Sequence, residues 1–60
     1  MTSYRFFLIG ANEHYKNVHV FDCRDDREAI ARGRQFVNGV DVEVWQRMRF
    51  VARLSYRSAA

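Results

Sequence analysis

Proline is absent from this sequence of 60 residues, cysteine occurs once and glycine three times, and each scarcity excludes something. Without proline there is no proline-rich linker, and no repeat or low-complexity tract divides the chain. A single domain over residues 1–60 is therefore expected, with an ordered core over 3–54 and a frayed tail over 55–60. The lone Cys23 rules out an internal disulfide and fits a reducing compartment, so a cytoplasmic location is expected. Scattered glycines make no phosphate-cradling loop. No apolar run approaches the roughly 20 residues that span a bilayer, and no membrane partner is expected. The run from Phe6 to Ala11 is short, follows Arg5 and runs into Asn12-Glu13-His14, so it is not read as a secretory leader.

Lysine is scarce too: Lys16 stands against nine arginines, and the formal net charge is +3. The charge is uneven. Residues 1–31 carry four basic and five acidic side chains, whereas residues 32–60 carry six arginines against Asp41 and Glu43. A basic second half can meet phosphate, an acidic protein or an anionic surface, or simply be solvated. A chain this short buries only about 60% of the surface its unfolded form exposes, so oligomerisation is expected from size alone.

What is present is organised around Phe21 to Gly39. Asp25 followed by Glu28 is a capping box, and Asp26 and Glu28 sit where a helix dipole favours negative charge. Ala29, Ile30, Gly33, Phe36 and Val37 then fall on one face of an α-helix, and Asn38-Gly39 is read as its stop. Gly33 lies mid-helix on the apolar face, which predicts a close approach to whatever packs there.

Tyr4 to Ile9 reads as a strand, Asn12-Glu13 as a turn and Tyr15 to Cys23 as a second strand. A turn centred there sets Phe6 opposite His19 and Tyr4 opposite Phe21. Tyr4, Phe6, Leu8, Phe21 and Cys23 then share one face, and Phe7, Ile9, Val18 and Val20 the other. After the helix, Val40 to Gln46 and Arg49 to Leu54 read as strands joined at Arg47-Met48; a tight turn would pair Val44 with Val51 and Trp45 with Phe50. The fold class is α+β: a ββαββ chain whose four-stranded antiparallel sheet, order 2-1-3-4, carries one helix on one face.

One helix covers one sheet face. The other is expected to carry Phe7, Ile9, Val18 and Val20, joined by Trp45, Phe50, Ala52 and Leu54 or by Val42, Val44 and Val51, and so to be apolar in either case. An interface built from Phe7, Ile9, Val18, Val20, Trp45 and Phe50 follows, with a homodimer as the leading expectation. The alternative is a small RNA or single-stranded DNA binder. It would stack bases on Tyr4, Phe7, Trp45 and Phe50 and meet phosphate with Arg47, Arg49 and Arg53.

Catalytic constellations are poorly supported. Cys23, between Asp22 and Arg24 before a helix start, could be an activated thiol, but a small buried core residue is the plainer reading. His14, His19 and Cys23 match no zinc spacing. Asp22, Asp25, Asp26 and Glu28 are largely accounted for by capping and dipole roles. No catalytic residue, metal, cofactor or small-molecule ligand is expected, and the chain is read as non-enzymatic.

The opening Tyr4-Arg5-Phe6-Phe7-Leu8, the helix start Asp25-Asp26-Arg27-Glu28-Ala29-Ile30, and Val42-Glu43-Val44-Trp45-Gln46 followed by Arg49-Phe50-Val51-Ala52-Arg53-Leu54 resemble short uncharacterised alphaproteobacterial proteins of ββαββ pattern. The resemblance implies no activity. It departs at Arg47-Met48, where such relatives are expected to place glycine. The strand-strand-helix opening is also similar to the partial ribonuclease-H-like domain of some antitoxins, whose DNA-binding segment has no counterpart in this sequence.

Overall fold

The computed structural model describes residues 1–56. The elements follow the expected order: β1 (Thr2–Ile9), β2 (Tyr15–Cys23), α1 (Asp26–Gly33), β3 (Asp41–Gln46) and β4 (Arg49–Leu54). They form one antiparallel sheet in the order β2-β1-β3-β4. Phe6 lies opposite His19 and Tyr4 opposite Phe21, the expected register of the first hairpin.

Two hairpin turns show where the backbone departs from routine. The first hairpin closes through a short 3₁₀ turn, Ala11–Glu13, in which Asn12 and Glu13 take left-handed φ of 64° and 60°. Asparagine adopts that conformation readily, which is what made Asn12 legible as a turn residue. The second hairpin closes tightly at Arg47-Met48, and Arg47 is left-handed at φ 57°. Trp45 pairs with Phe50 as expected, but Val44 pairs with Ala52 and not with Val51, because a bulge interrupts the register between Val44 and Trp45.

The helix starts as the capping box requires. Asp25 is the N-cap and its carboxylate accepts from the backbone N–H of Glu28 at 2.9 Å. Glu28 reaches one residue further back than the usual box, accepting from the N–H of Arg24 at 2.8 Å and from its guanidinium at 3.0 Å. The α-helix is shorter than the apolar periodicity suggested. It ends at Gly33 and tightens into a 3₁₀ turn, Arg34–Phe36, so the left-handed Gly39 (φ 80°) belongs to the following loop and not to the helix cap.

Beneath α1, Tyr4, Phe6, Cys23, Ala29, Val42 and Val44 form the buried core, bordered by Leu8, Phe21, Phe36, Val37, Val51 and Leu54. Gly33 is buried there: a Cβ on it would stand 3.0 Å from Leu54 Cδ1, 3.3 Å from Val44 Cγ2 and 3.4 Å from Phe6 Cδ2. The helix approaches the sheet as closely as the glycine permits. Tyr56 continues the ordered chain, its N–H donating to Asp41 Oδ1 at 2.9 Å, so the predicted frayed tail does not begin at Ser55; residues 57–60 lie outside the described residues.

Candidate interaction face

The face of the sheet turned away from α1 is built by alternation along all four strands. The register puts Arg5, Phe7 and Ile9 of β1 beside Val18 and Val20 of β2 on one side and Asp41, Glu43 and Trp45 of β3 on the other. Trp45 pairs with Phe50 across the β3–β4 hairpin, and their rings meet edge to face at 5.4 Å. All six residues of the expected interface, Phe7, Ile9, Val18, Val20, Trp45 and Phe50, thus lie on one face.

The bulge changes the composition of that face. Val42 pairs with Leu54 and Val44 with Ala52, which sets Ala52 and Leu54 toward α1 while Trp45 and Phe50 face the other way. The expectation that Trp45, Phe50, Ala52 and Leu54 share a side is therefore corrected: an extra residue in β4 reverses the alternation between Phe50 and Ala52. Exposure then separates the six. Val20 is 56% exposed, Phe50 50% and Val18 46%, whereas Ile9 is buried at 2%. Tyr15 extends the apolar surface, its ring stacked on Phe7 at 5.4 Å.

Along β3 and β4 the face is charged from the level of Phe7 to that of Ile9 and on to the Glu13 turn, which the sequence reading missed. Arg53 donates to Glu13 at 2.8 and 2.9 Å, to Asp41 at 2.9 Å and to Glu43 at 3.2 Å. Glu43 also accepts from Trp45 Nε1 at 3.0 Å, which ties the indole to the network. The arginine pulls the Glu13 carboxyl below its ordinary pKa, and Glu13 and Asp41 in turn hold the guanidinium charged. Among the described residues, three carboxylates around one arginine leave the cluster net negative. Asp41 and Glu43 were visible as the polar half of an alternating strand, but Glu13 joins Arg53 across 40 positions of sequence, and no local pattern announces such a pair.

Of the residues of the nucleic-acid alternative, Phe7, Trp45, Phe50 and Arg53 share the open face, whereas Tyr4 and Arg49 lie on the helix side. Tyr4 is buried under α1, where its hydroxyl donates to Asp26 Oδ1 at 2.8 Å, so it offers no stacking ring, and Trp45 lies on the opposite face. Burial, the hydrogen bond and the nearby carboxylate raise the Tyr4 pKa. Arg49 is held by Asp26 at 2.7 and 3.1 Å and Arg53 by its three carboxylates, which leaves Arg47 at the exposed turn.

Cys23 is fully buried, and burial pushes its thiol pKa upward, the reverse of what a nucleophile requires. His19 lies on the helix side of the sheet, stacked on Phe36 with ring centroids 4.6 Å apart. No group of three metal-ligating side chains occurs among the described residues. Among those residues, too, no helix is long and apolar enough to cross a membrane. No protein family, curated protein or solved structure matches the chain, and the reading of this face rests on its own geometry.

Proposed function

We propose that this protein is a small cytoplasmic, non-enzymatic interaction module that self-associates, a second copy covering the sheet face that α1 leaves open. The observation that carries the reading is the exposed row Val18, Val20 and Phe50 beside Phe7 and Trp45, on a face that no element of the described chain covers. Contiguous exposed apolar surface of this kind marks interaction sites.

Size supports a second copy as the occupant. The Cα trace measures 31 × 22 × 15 Å, so its broad face spans at most roughly 700 Å², of the order of the ~800 Å² per partner of a standard stable interface. Sheet-on-sheet packing would also supply the third layer that a marginal two-layer core of this length lacks.

Sedimentation equilibrium tests the reading. The wild type should be dimeric at high micromolar concentration, and Phe7→Lys, which sets a charge amid the apolar row without touching the core under α1, should be monomeric and folded. Burying that unpaired charge costs several kcal/mol, enough to dissociate an ordinary small dimer. A monomeric wild type defeats the proposal. Binding of a single-stranded oligonucleotide that weakens steeply with salt would assign the face to nucleic acid instead.

A further inference from the structure

The two ends of the open face carry opposite charge. Toward one end stand Glu13 and Asp41, which with Glu43 at the level of Phe7 surround Arg53, a net negative cluster among the described residues. It borders a hollow of about 450 Å³ whose walls include Ile9, Glu13, Asp41 and Tyr56. At the other end Arg5 is exposed and, among the described residues, makes no ion pair; the exposed Arg47 lies at the adjoining turn. Asp22, exposed on β2 opposite Ser3, offsets part of this positive charge but stands nearer the outer edge.

We propose that two copies pack open face to open face about a two-fold axis that crosses the strands at the level of Phe7, so that Arg5 of each copy enters the acidic hollow of the other. This rests on the self-association proposed above and fixes its geometry. Arg5 and Ile9 lie two residues to either side of Phe7, each about 7 Å away along the strand. A two-fold axis through Phe7 and perpendicular to the strands therefore lays Arg5 over the partner copy's Ile9, the residue that borders the hollow. The same operation superposes β2 on β2, bringing Val18, level with Phe7, onto its own symmetry mate. It also carries the Trp45–Phe50 pair, level with Arg5, to the level of the partner copy's Asp41, while Arg53, level with Phe7 and held by its own carboxylates, faces its symmetry mate.

The other two-fold arrangement, with its axis along the strands, lays acidic end on acidic end and Arg5 on Arg5, and like charges so placed repel. Glu43 is the one carboxylate level with Phe7. Its side chain is only 15% exposed and is held by Trp45 and Arg53, so its charge is largely satisfied within its own copy.

Cysteine cross-linking decides between the arrangements, with sedimentation run first on the wild type. A wild-type monomer ends the self-association reading itself. Given a dimer, Val18→Cys should be linked to its own copy by a bismaleimide of roughly 10 Å reach, since sheets packed face to face stand too far apart for a direct disulfide. Arg5→Cys should not be linked to itself, but should be linked to Glu13→Cys when the two variants are mixed. The wild type, with only the buried Cys23, is the blank. Arg5→Glu should weaken dimerisation by about tenfold while Arg5→Lys leaves it close to wild type. Self-linking of Arg5→Cys, or an Arg5→Glu dimer as tight as wild type, overturns the arrangement and leaves the dimer standing.

Discussion

Gly33 and Arg47 are the two residues at which backbone and side chain pull hardest in opposite directions. Alanine at Gly33 gains helix propensity, but less than mid-helix, because Gly33 is the last residue of α1. Its methyl would press on Val44 and Phe6, both fully buried, as well as on the end of Leu54. Neither central-strand neighbour has room to withdraw, so Gly33→Ala should lower stability by about 1 kcal/mol. A higher melting temperature for the variant would show that α1 can lift from the sheet. At Arg47 the strain lies in the backbone, since a left-handed conformation costs an L-residue roughly 1–2 kcal/mol and glycine almost nothing. The side chain is exposed and makes no ion pair among the described residues, so Arg47→Gly should stabilise by about 1 kcal/mol in urea unfolding. The absence of glycine at that turn was visible in the sequence. That the turn stays tight nonetheless was left open, because neither Arg47 nor Met48 is a residue that a two-residue turn favours; the cross-strand Trp45–Phe50 contact flanks it.

Among the elements, α1 is the one whose beginning was fully legible and whose end was not. The cap is local chemistry: Asp25 and Glu28 act on donors within four residues, and Asp25→Ala should cost about 1 kcal/mol. The end is decided by packing, as Phe36 leaves the α-helical spiral to stack between Phe6, Phe21 and His19. The start of α1 is also tied to the sheet by Asp26, which accepts from Tyr4 of β1 and from Arg49 of β4. Those bonds, Arg49 foremost, hold the Asp26 carboxyl below its ordinary pKa. A depressed carboxyl stabilises the fold above its unfolded-state value, near pH 4, and loses that contribution as pH falls through its folded-state value. Glu13 and Glu28 are shifted the same way, so stability should decline on the acid side of pH 4. Asp26→Asn should be less stable than wild type at pH 7, decline less steeply below pH 4, and converge with it once the pH has fallen through the folded-state pKa of Asp26. Urea titrations at a series of pH values give the comparison, and parallel curves would remove Asp26 from the acid limb.

For the molecule as a whole, strand order and the β1–β2 part of the helix-side core followed from hydrophobic alternation and the handedness of one crossover, both of which a sequence carries, while which face of β3 and β4 meets α1 stayed open. The composition of the open face did not follow. It depends on one bulge in β4 and on an arginine that gathers carboxylates from a turn and a neighbouring strand, and neither has a local signature. The result is a face that is apolar from Val18 and Val20 across Phe7 to Trp45 and Phe50, and charged where Arg53 gathers Glu43, Asp41 and Glu13. If a second copy covers that face, folding and association are linked, and the melting temperature must depend on protein concentration. A tenfold rise in concentration favours the dimer by about 1.4 kcal/mol, or ~0.7 kcal/mol for each chain. For a domain of this size that corresponds to a rise of roughly 3–6 °C in melting temperature. Phe7→Lys should abolish the dependence and melt at one temperature across the range, because it removes association while leaving the core of Tyr4, Phe6, Val42 and Val44 intact. A concentration-independent wild-type melt would instead mean that the two layers are stable alone, and that the exposed row of Val18, Val20 and Phe50 is tolerated in water.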